Sequence, residues 1–267
     1  MTIVIANIID FIAAFIQVGE SVTDPLKYYE NNIAKPLVLL RAMILAGCKR
    51  FVFSSTCATY GVPTQVPIPE TEKQDPINPY GGSKYMLEKV CKDCDRAYGL
   101  KSVFLRYFNA SGSSVDGVIG EDHEPESHLI PVILQAIKGE RPGITVFGTD
   151  YDTPDGTCIR DYIHVDDLAD AHLRALNYLM EGGETNWFNL GTGNGFSVKQ
   201  IIEAAEEVTG MKAPVTYGPR REGDPARLIA DSRKAAEILG WIPQYQDVKD
   251  IVKTAWKWHN GPRGGHY

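Results

Sequence analysis

The stretch that decides the fold is FVFSSTCATYG at 51–61, followed by NPYGGSK at 78–84. An apolar run, Phe51 to Phe53, leads into a cluster of hydroxyl-bearing residues that includes Thr56. A short run that is apolar throughout suits the centre of a parallel sheet, because strands there are covered on both faces. The second motif opens a helix that we place at about 80–98. A strand and a following helix are therefore predicted to bring two polar motifs together.

Tyr80 and Lys84 are four residues apart, so they share one face of the predicted helix. An ammonium beside a phenol favours the phenolate and lowers the pKa of the tyrosine. A tyrosine prepared in this way acts as a general base near neutral pH. Thr56 would supply a hydroxyl between this tyrosine and a substrate alcohol. Such pairs also recur by chance in helices, so the hydroxyl-rich strand end is what favours catalysis.

Strands and helices alternate through the first part of the chain. We place strands at 1–15, 51–53 and 102–107, and helices at 24–47 and 80–98. This alternation predicts an α/β fold with a Rossmann-like parallel sheet, which binds ligands at the carboxyl ends of its strands. Pro36 is expected to kink or break the first helix, and Gly47 to end it.

The pattern changes after Gly112, so we divide the chain into a first domain, 1–112, and a smaller α/β part, 113–267, some of whose segments return to the first. The second part is expected to contain helices at 127–138, 166–180 and 232–240, with strands at 144–147, 158–165 and 187–190. Asp166 or Asp167 is expected to cap the second of these helices, and Ser197 with Gln200 forms a predicted capping box.

Composition excludes several classes of function. The net charge of −7 argues against a general nucleic-acid binder, which would carry a basic surface. The apolar segment 3–16 is shorter than the roughly 20 residues of a membrane span and lacks the basic start of a signal peptide. Five cysteines, an odd number, favour reduced thiols in a cytoplasmic protein over a disulfide framework.

Two short motifs are weaker signals. The CxxC at 91–94 falls in the middle of a predicted helix and has no second CxxC, so we interpret both thiols as ordinary helix residues and expect no metal site. The GxGxG at 191–195 lies between a strand and a helix, where a dinucleotide fingerprint would lie. Its spacing differs from GxGxxG, and cofactor binding there is the less favoured interpretation.

The motifs SSTCATYG at 54–61, NPYGGSK at 78–84 and LRYFNASG at 105–112 resemble the extended short-chain dehydrogenase/reductase family, and within it the UDP-glucose 4-epimerase branch. The resemblance runs from about Val18 to the C-terminus. It implies that 1–112 is the remainder of an NAD-binding domain and that 113–267 mainly binds a UDP-sugar. It also implies a homodimer through the helices at 24–47 and 80–98.

The resemblance assigns roles residue by residue. Tyr80, Lys84 and Thr56 would be catalytic, and all three would also contact ligand. Further NAD contacts would come from Phe15, Asn31, Ser54, Tyr107 and Phe108. Substrate contacts would come from Asn109, His128, Leu129, Thr145, Val146, Phe147, Arg160, Arg221, Asp224 and Leu228. Guanidinium groups give bidentate contacts to phosphate, although a surface salt bridge is the more common fate of an arginine.

The implied reaction is the interconversion of UDP-glucose and UDP-galactose through a transient 4-keto sugar, with NAD as the oxidant. Leu228 occupies a position where a bulky aromatic is associated with rejecting N-acetyl sugars, so some tolerance of UDP-N-acetylhexosamines is expected. A nucleotide-sugar 4,6-dehydratase is an alternative, but such enzymes carry an acidic pair where this chain has Cys57 and Ala58.

The sequence departs from the family at its start. The family's glycine-rich turn, which binds the pyrophosphate, and its acidic ribose ligand have no counterparts here. Residues 10–14 only partly match the family's HFAA, and Ile16 replaces a phosphate-binding lysine of several relatives. We therefore expect an N-terminally truncated epimerase. Two alternatives stay open: a chain that only binds UDP-sugar, and a dimerisation or interaction module.

Overall fold

The computed structural model describes residues 7–221, 224–262 and 264–266. Part of the strand predicted at 1–15 lies outside these residues. The strands, in chain order, are β1 Ile9–Phe11, β2 Arg50–Thr56, β3 Lys101–Tyr107, β4 Asn109–Ser111, β5 Ile144–Phe147, β6 Ile159–Arg160, β7 Tyr162–His164, β8 Asn186–Leu190, β9 Phe196–Ser197, β10 Val215–Gly218 and β11 Arg227–Leu228.

The α-helices are α1 Val18–Thr23, α2 Pro25–Tyr29, α3 Lys35–Leu45, α4 Pro79–Tyr98, α5 Leu129–Ile137, α6 Val165–Met180, α7 Val198–Thr209, α8 Arg233–Leu239 and α9 Val248–His259. A π-helical turn, Glu30–Ala34, joins α2 to α3, and a 3₁₀ turn, Cys57–Thr59, follows β2. Within the described chain, no helix has both the length and the apolar character needed to cross a membrane.

Two compact units make up the described chain. The first takes its residues from 1–107, 170–190 and 231–241, and the second from 108–169, 191–230 and 242–267. The division thus falls after Tyr107 rather than after Gly112. Two later segments belong to the first unit, one of them the end of α6 with β8 and the other containing α8.

The first unit contains a four-stranded parallel sheet in the order β1-β2-β3-β8. Rings lie side by side across it, since Phe11 pairs with Phe53, Phe53 with Phe104 and Phe104 with Trp187. Helix α4 covers this sheet with Leu87 and Cys91, both buried in the same cluster. The Rossmann-like parallel sheet predicted from the sequence is therefore confirmed.

The second unit is built on three small sheets and a helical core. β5 pairs with β10, β4 with β7, and β6 lies between β11 and β9. Helices α5, α7 and α9 bury apolar side chains in one cluster, including Ile133, Leu134, Ile201 and Ile251. The Ser197–Gln200 capping box is present at the start of α7, as predicted.

Several boundaries differ from the predictions for physical reasons. The first strand covers only Ile9–Phe11 of the described residues, and α1 forms where we expected the strand to end. Pro36 does not break its helix. The π-helical turn ahead of it bonds the Lys35 N–H to the carbonyl of Glu30, five residues back, and places the proline in the first turn of α3.

Elements of the second unit were also mispredicted. The strand predicted at 158–165 is interrupted at Asp161, which separates β6 from β7. Helix α6 starts at Val165, so Asp166 and Asp167 lie within its first turn rather than before it. The Asp167 carboxylate accepts hydrogen bonds from the N–H groups of Gln244 and Tyr245, at 2.8 and 3.0 Å. Helix α9 was missed, although Val248, Ile251, Val252, Ala255 and Trp258 have helical spacing and are all buried.

A buried ion pair ties α4 to the sheet of the first unit. Arg106 Nε donates to Glu88 Oε1 at 2.9 Å and Nη2 donates to Oε2 at 2.5 Å, and both side chains are almost completely buried. Ser55 Oγ donates to the same carboxylate at 2.5 Å, and Arg106 Nη1 donates to the Tyr60 hydroxyl at 2.9 Å. That hydroxyl donates in turn to Asn189 Oδ1 at 2.7 Å. The network connects α4, β2, β3 and β8.

Replacing Glu88→Gln should lower the free energy of unfolding by about 3 kcal/mol or more, because it leaves the buried Arg106 without its counter-charge. Asp75→Asn removes an exposed ion pair with Lys73 and serves as the control, with an expected change of about 0–1 kcal/mol. Urea unfolding followed by tryptophan fluorescence measures both variants. Equal, small losses would contradict this account of the pair.

Candidate active site

Thr56 and Tyr107 end two neighbouring strands of the first unit. The two residues are paired in the parallel register of β2 and β3, so both lie at the carboxyl edge of the sheet. The Thr56 hydroxyl accepts a hydrogen bond from the Ala58 N–H at 3.2 Å, which starts the 3₁₀ turn. Polar side chains at this edge occupy the position where open α/β sheets bind ligands.

Helix α4 begins beside this turn. Asn78 caps it by accepting from the Gly81 N–H at 2.8 Å, and Pro79 occupies its first position. Gly81 lies so close to the strand end that an added Cβ would be 2.4 Å from the Ala58 carbonyl oxygen. Gly81, the residue after Tyr80, therefore packs directly on the 3₁₀ turn that follows Thr56.

The structure corrects the expected direction of the Tyr80 pKa. Burial raises this pKa, a hydrogen bond with Thr56 acts to lower it, and nearby Tyr107 and Cys57 act to raise it further. In the chain alone, burial thus favours the phenol over the phenolate, and positive charge brought by a ligand would act in the opposite direction.

Lys84 is buried, with its side chain beneath the strand end. Its Nζ donates to the Ser54 carbonyl at 2.7 Å and lies 4.9 Å from the centre of the Phe53 ring. Burial lowers the pKa of Lys84 to about 7, and the charge of Glu88 partly opposes this. An ammonium has three donors. One serves Ser54, which leaves others for the hydroxyl groups of a ligand, and this donor set fits the ribose of a nicotinamide nucleotide.

The segment before α1 is tied to the π-helical turn by Asn32. Its Oδ1 accepts from the Phe15 N–H and its Nδ2 donates to the Phe15 carbonyl, both at 2.9 Å. Asn31, the predicted ligand contact, donates to Asn32 Oδ1 at 3.1 Å and accepts from Lys35 at 2.9 Å. Sequence analysis missed Asn32, which holds the segment at Phe15 in place. The sequence alone does not show which of the adjacent residues Asn31 and Asn32 has this structural role.

Tyr107 lies near the predicted cofactor residues of the first unit, and Phe108 and Asn109 begin the second. Burial raises the pKa of Tyr107, and the charge of nearby Asp10 raises it further. Phe108 is buried. Asn109 Nδ2 donates to the carbonyl of Asp161, the residue between β6 and β7, at 2.9 Å, and this bond holds the amide in place.

Arg160 forms an ion pair with Asp224 in the second unit, and its other terminal nitrogen donates to the Ile159 carbonyl at 2.8 Å. Leu228 pairs with Arg160 in the ladder of β11 and β6. The structure therefore brings three of the predicted substrate residues together. Tyr151, which sequence analysis missed, is buried beside this group, and its hydroxyl has no hydrogen-bond partner among the described residues.

Phe147 and Arg221 form a second predicted pair that the structure brings together. The guanidinium carbon lies 4.1 Å from the centre of the Phe147 ring. Thr145 is exposed on the same side of β5, but Val146 points into the hydrophobic core and its side chain is unavailable to a ligand. Strand residues alternate between faces, so a substrate contact from Val146 stays a prediction for its backbone alone.

His128 immediately precedes α5, whose first residue is Leu129. Its Nδ1 forms ion pairs with Glu121 and, at 3.3 Å, with Glu126. Burial lowers the pKa of His128, but the hydrogen bonds and charges of the two carboxylates outweigh it and raise the pKa to about 10. Because Nδ1 is buried and faces these carboxylates, a substrate contact would use the other ring nitrogen.

The glycine-rich loop at 191–195 binds a carboxylate of the protein itself. Asp161 accepts from the N–H groups of Thr192 and Gly193, at 2.8 and 3.0 Å, and from that of Ala230 at 3.1 Å. These loop amides would otherwise be suited to an anionic ligand. Their use by Asp161 agrees with the interpretation that this loop is not a dinucleotide fingerprint.

The family model of the NAD dependent epimerase/dehydratase family matches residues 5–191. Over 253 residues the chain is 56% identical to UDP-glucose 4-epimerase of Streptococcus mutans, covering 94% of this chain and 76% of that protein. It is similar to the crystal structure of UDP-glucose 4-epimerase from Brucella ovis in complex with NAD, with a TM-score of 0.91, 50% identity, and 92% and 76% of the two chains covered. For the enzyme from Bifidobacterium longum in complex with NAD+ and UDP, the TM-score is 0.92 and the identity 38%, with 97% and 78% covered.

Gly81→Ala and Gly82→Ala should differ sharply, although both glycines lie in the first turns of α4. An added Cβ at Gly81 meets the Ala58 carbonyl, whereas at Gly82 its nearest neighbour is the Tyr29 hydroxyl at 3.4 Å. We expect Gly81→Ala to destabilise the protein by about 1–3 kcal/mol. Gly82→Ala should be neutral or stabilising by up to about 1 kcal/mol, because alanine favours helix. Thermal unfolding measures the difference, and equal effects would show that the close approach is unimportant.

Proposed function

We propose, since the chain belongs to the NAD dependent epimerase/dehydratase family, that it interconverts UDP-glucose and UDP-galactose by oxidising and then re-reducing carbon 4 of the sugar. The observation that supports this most directly is the grouping in the first unit. Tyr80 and Lys84 lie on α4, Thr56 ends β2, and Gly81 packs on the turn after Thr56.

In the proposed mechanism, Tyr80 Oη removes the proton from the sugar 4-hydroxyl, either directly or through the Thr56 hydroxyl. When bound, NAD supplies the hydride acceptor and a positively charged nicotinamide ring. Lys84 would hold the nicotinamide ribose, and the added positive charge would lower the pKa of Tyr80, which burial otherwise raises. The same phenol would return the proton when the alcohol is re-formed on the opposite face.

We propose that the second unit binds the UDP portion. Arg160 and Arg221 present guanidinium groups suited to the diphosphate, and Phe147 presents an aromatic face to the uracil. With Arg160 turned partly towards the diphosphate, its ion pair with Asp224 would weaken, and Asp224 would accept hydrogen bonds from ribose hydroxyls. Asn109, His128, Leu129 and Thr145 would complete the substrate contacts, and Val146 would contribute its backbone only.

The pocket for the sugar would accept N-acetyl groups to some extent. We expect the side chain at position 228 to limit the size of the sugar. Leu228 occupies less volume than the aromatic side chains that exclude N-acetyl groups. Turnover of UDP-N-acetylglucosamine in the epimerase assay would support the proposal, and complete rejection would contradict it.

We further propose a cytoplasmic homodimer. None of the five cysteines forms a disulfide, which suits a reducing compartment. The helices of 24–47 and 80–98 leave large apolar side chains exposed in the single chain, among them Leu26, Val38, Leu45 and Met86. Light scattering of the purified chain tests the dimer, which would bury such residues.

The decisive experiment is an epimerase assay on the purified chain with released NAD quantified in parallel. We expect turnover, and we expect Tyr80→Phe to reduce kcat by about 10²–10⁴-fold. Tyr85→Phe, on the same helix, is the matched control and should retain activity. A folded chain that binds UDP but neither holds NAD nor turns over would favour the binding-only alternative, while elimination of water from the sugar would favour the dehydratase.

Arg221→Ala should weaken UDP binding by about tenfold or more, because a guanidinium that can face a phosphate is lost. Arg220→Ala is the control. Its Nε already donates to Asp150 at 2.7 Å, and its guanidinium stacks 4.4 Å from the Tyr151 ring. Titration calorimetry with UDP measures both, and equal losses would show that the two arginines do not differ in role.

A further inference from the structure

The segment that leads into α5 gathers four side chains that suit a metal ion. Glu121, His123, Glu126 and His128 each offer one ligand atom, and these atoms all lie within 4.8 Å of one another. Sequence analysis expected no metal site, because it considered only the CxxC at 91–94 as a metal motif. Their convergence becomes visible only when the segment is folded.

The distances within the group are already short. His123 Nδ1 lies 2.9 Å from Glu121 Oε1 and 3.9 Å from Glu126 Oε1, and His128 Nδ1 lies 3.3 Å from Glu126 Oε1. The two imidazole rings have their centres 5.1 Å apart. A tetrahedral zinc ion with bonds of about 2.0–2.1 Å separates its ligand atoms by roughly 3.3 Å, so only small rotations are needed.

The backbone that carries these ligands is held from outside the group. Trp258, on α9, donates its indole N–H to the Glu121 carbonyl at 2.9 Å. Gly120 packs against the same indole so tightly that a Cβ would lie 2.2 Å from the ring. A metal site needs ligands whose positions are fixed by surrounding structure, and this packing supplies that support.

A small pocket opens beside the group and provides an entry path. Its lining includes Glu121, His123 and Glu126, together with His259 and His266. Glu126 is buried, while both imidazoles remain partly exposed. An ion could therefore reach the ligands from solvent and be bound where one carboxylate is already removed from water.

We propose that Glu121, His123, Glu126 and His128 form a binding site for a divalent transition-metal ion, with Zn²⁺ the best match. Two imidazoles with two carboxylates form a ligand set that zinc accepts, and the two carboxylates balance its charge. The four protein ligands fill a tetrahedral sphere, so the ion would be structural. It would fix the segment that presents His128 and Leu129 at the start of α5.

The test is metal binding by the full chain, with any purification tag removed. We expect one Zn²⁺ per chain by competition with a chromogenic chelator. We also expect Co²⁺ to give the intense visible absorption typical of tetrahedral coordination. Excess Zn²⁺ should raise Tm by about 5 °C or more, because it binds only the folded chain.

His123→Ala and Glu126→Gln should each weaken Zn²⁺ binding by more than about tenfold and abolish the tetrahedral Co²⁺ spectrum. His266→Ala is the control, since His266 lies at the same pocket but pairs with Asp122 at 3.0 Å. It should bind Zn²⁺ as the parent does. Absence of stoichiometric binding, or an equal loss in His266→Ala, would overturn the proposal and leave the group as ion pairs around His128.

Discussion

The buried pair of Glu88 and Arg106 is the interaction on which the first unit depends. A helix can pack on an apolar sheet in several neighbouring registers, because hydrophobic contact is not directional. A bidentate ion pair is directional, and breaking it inside the protein leaves a buried charge. By joining α4 to β3, and through Ser55 to β2, the pair fixes the helix against the strands whose ends carry Thr56 and Tyr107.

The same carboxylate acts on the candidate active site. Glu88 lies one helical turn beyond Lys84, and its charge partly offsets the burial that lowers the pKa of that lysine. The Nζ atom of Lys84 donates to the Ser54 carbonyl beneath the strand end, and burial there disfavours its charged form. Hydrogen-bond acceptors supplied by a ligand would favour the ammonium.

Much of this could be predicted from the sequence. The parallel sheet, α4 and the grouping of Thr56 with Tyr80 follow from local patterns, because apolar runs, an N-terminal proline and helical spacing are properties of neighbouring residues. Asp161, Asn32 and Glu88 could not be assigned, since their partners are distant in the sequence. The burial of the Val146 side chain could not be assigned either, because a motif match does not specify which face of a strand a side chain occupies.

The opposite direction of the Tyr80 pKa has a further physical meaning. From the i, i+4 spacing we expected the charge of Lys84 to lie beside the phenol of Tyr80. In the fold, burial has the largest effect on the pKa of Tyr80, and Lys84 donates to the Ser54 carbonyl. In the chain alone, burial therefore favours the protonated phenol of Tyr80. Positive charge delivered with a ligand would shift this balance, since attraction at short range in a poorly solvated site is strong. The binding of such a ligand and the basicity of Tyr80 would then be coupled through one electrostatic interaction. Burial keeps the phenol protonated before the ligand binds, and the same burial makes its pKa more sensitive to the ligand's charge once the ligand is bound.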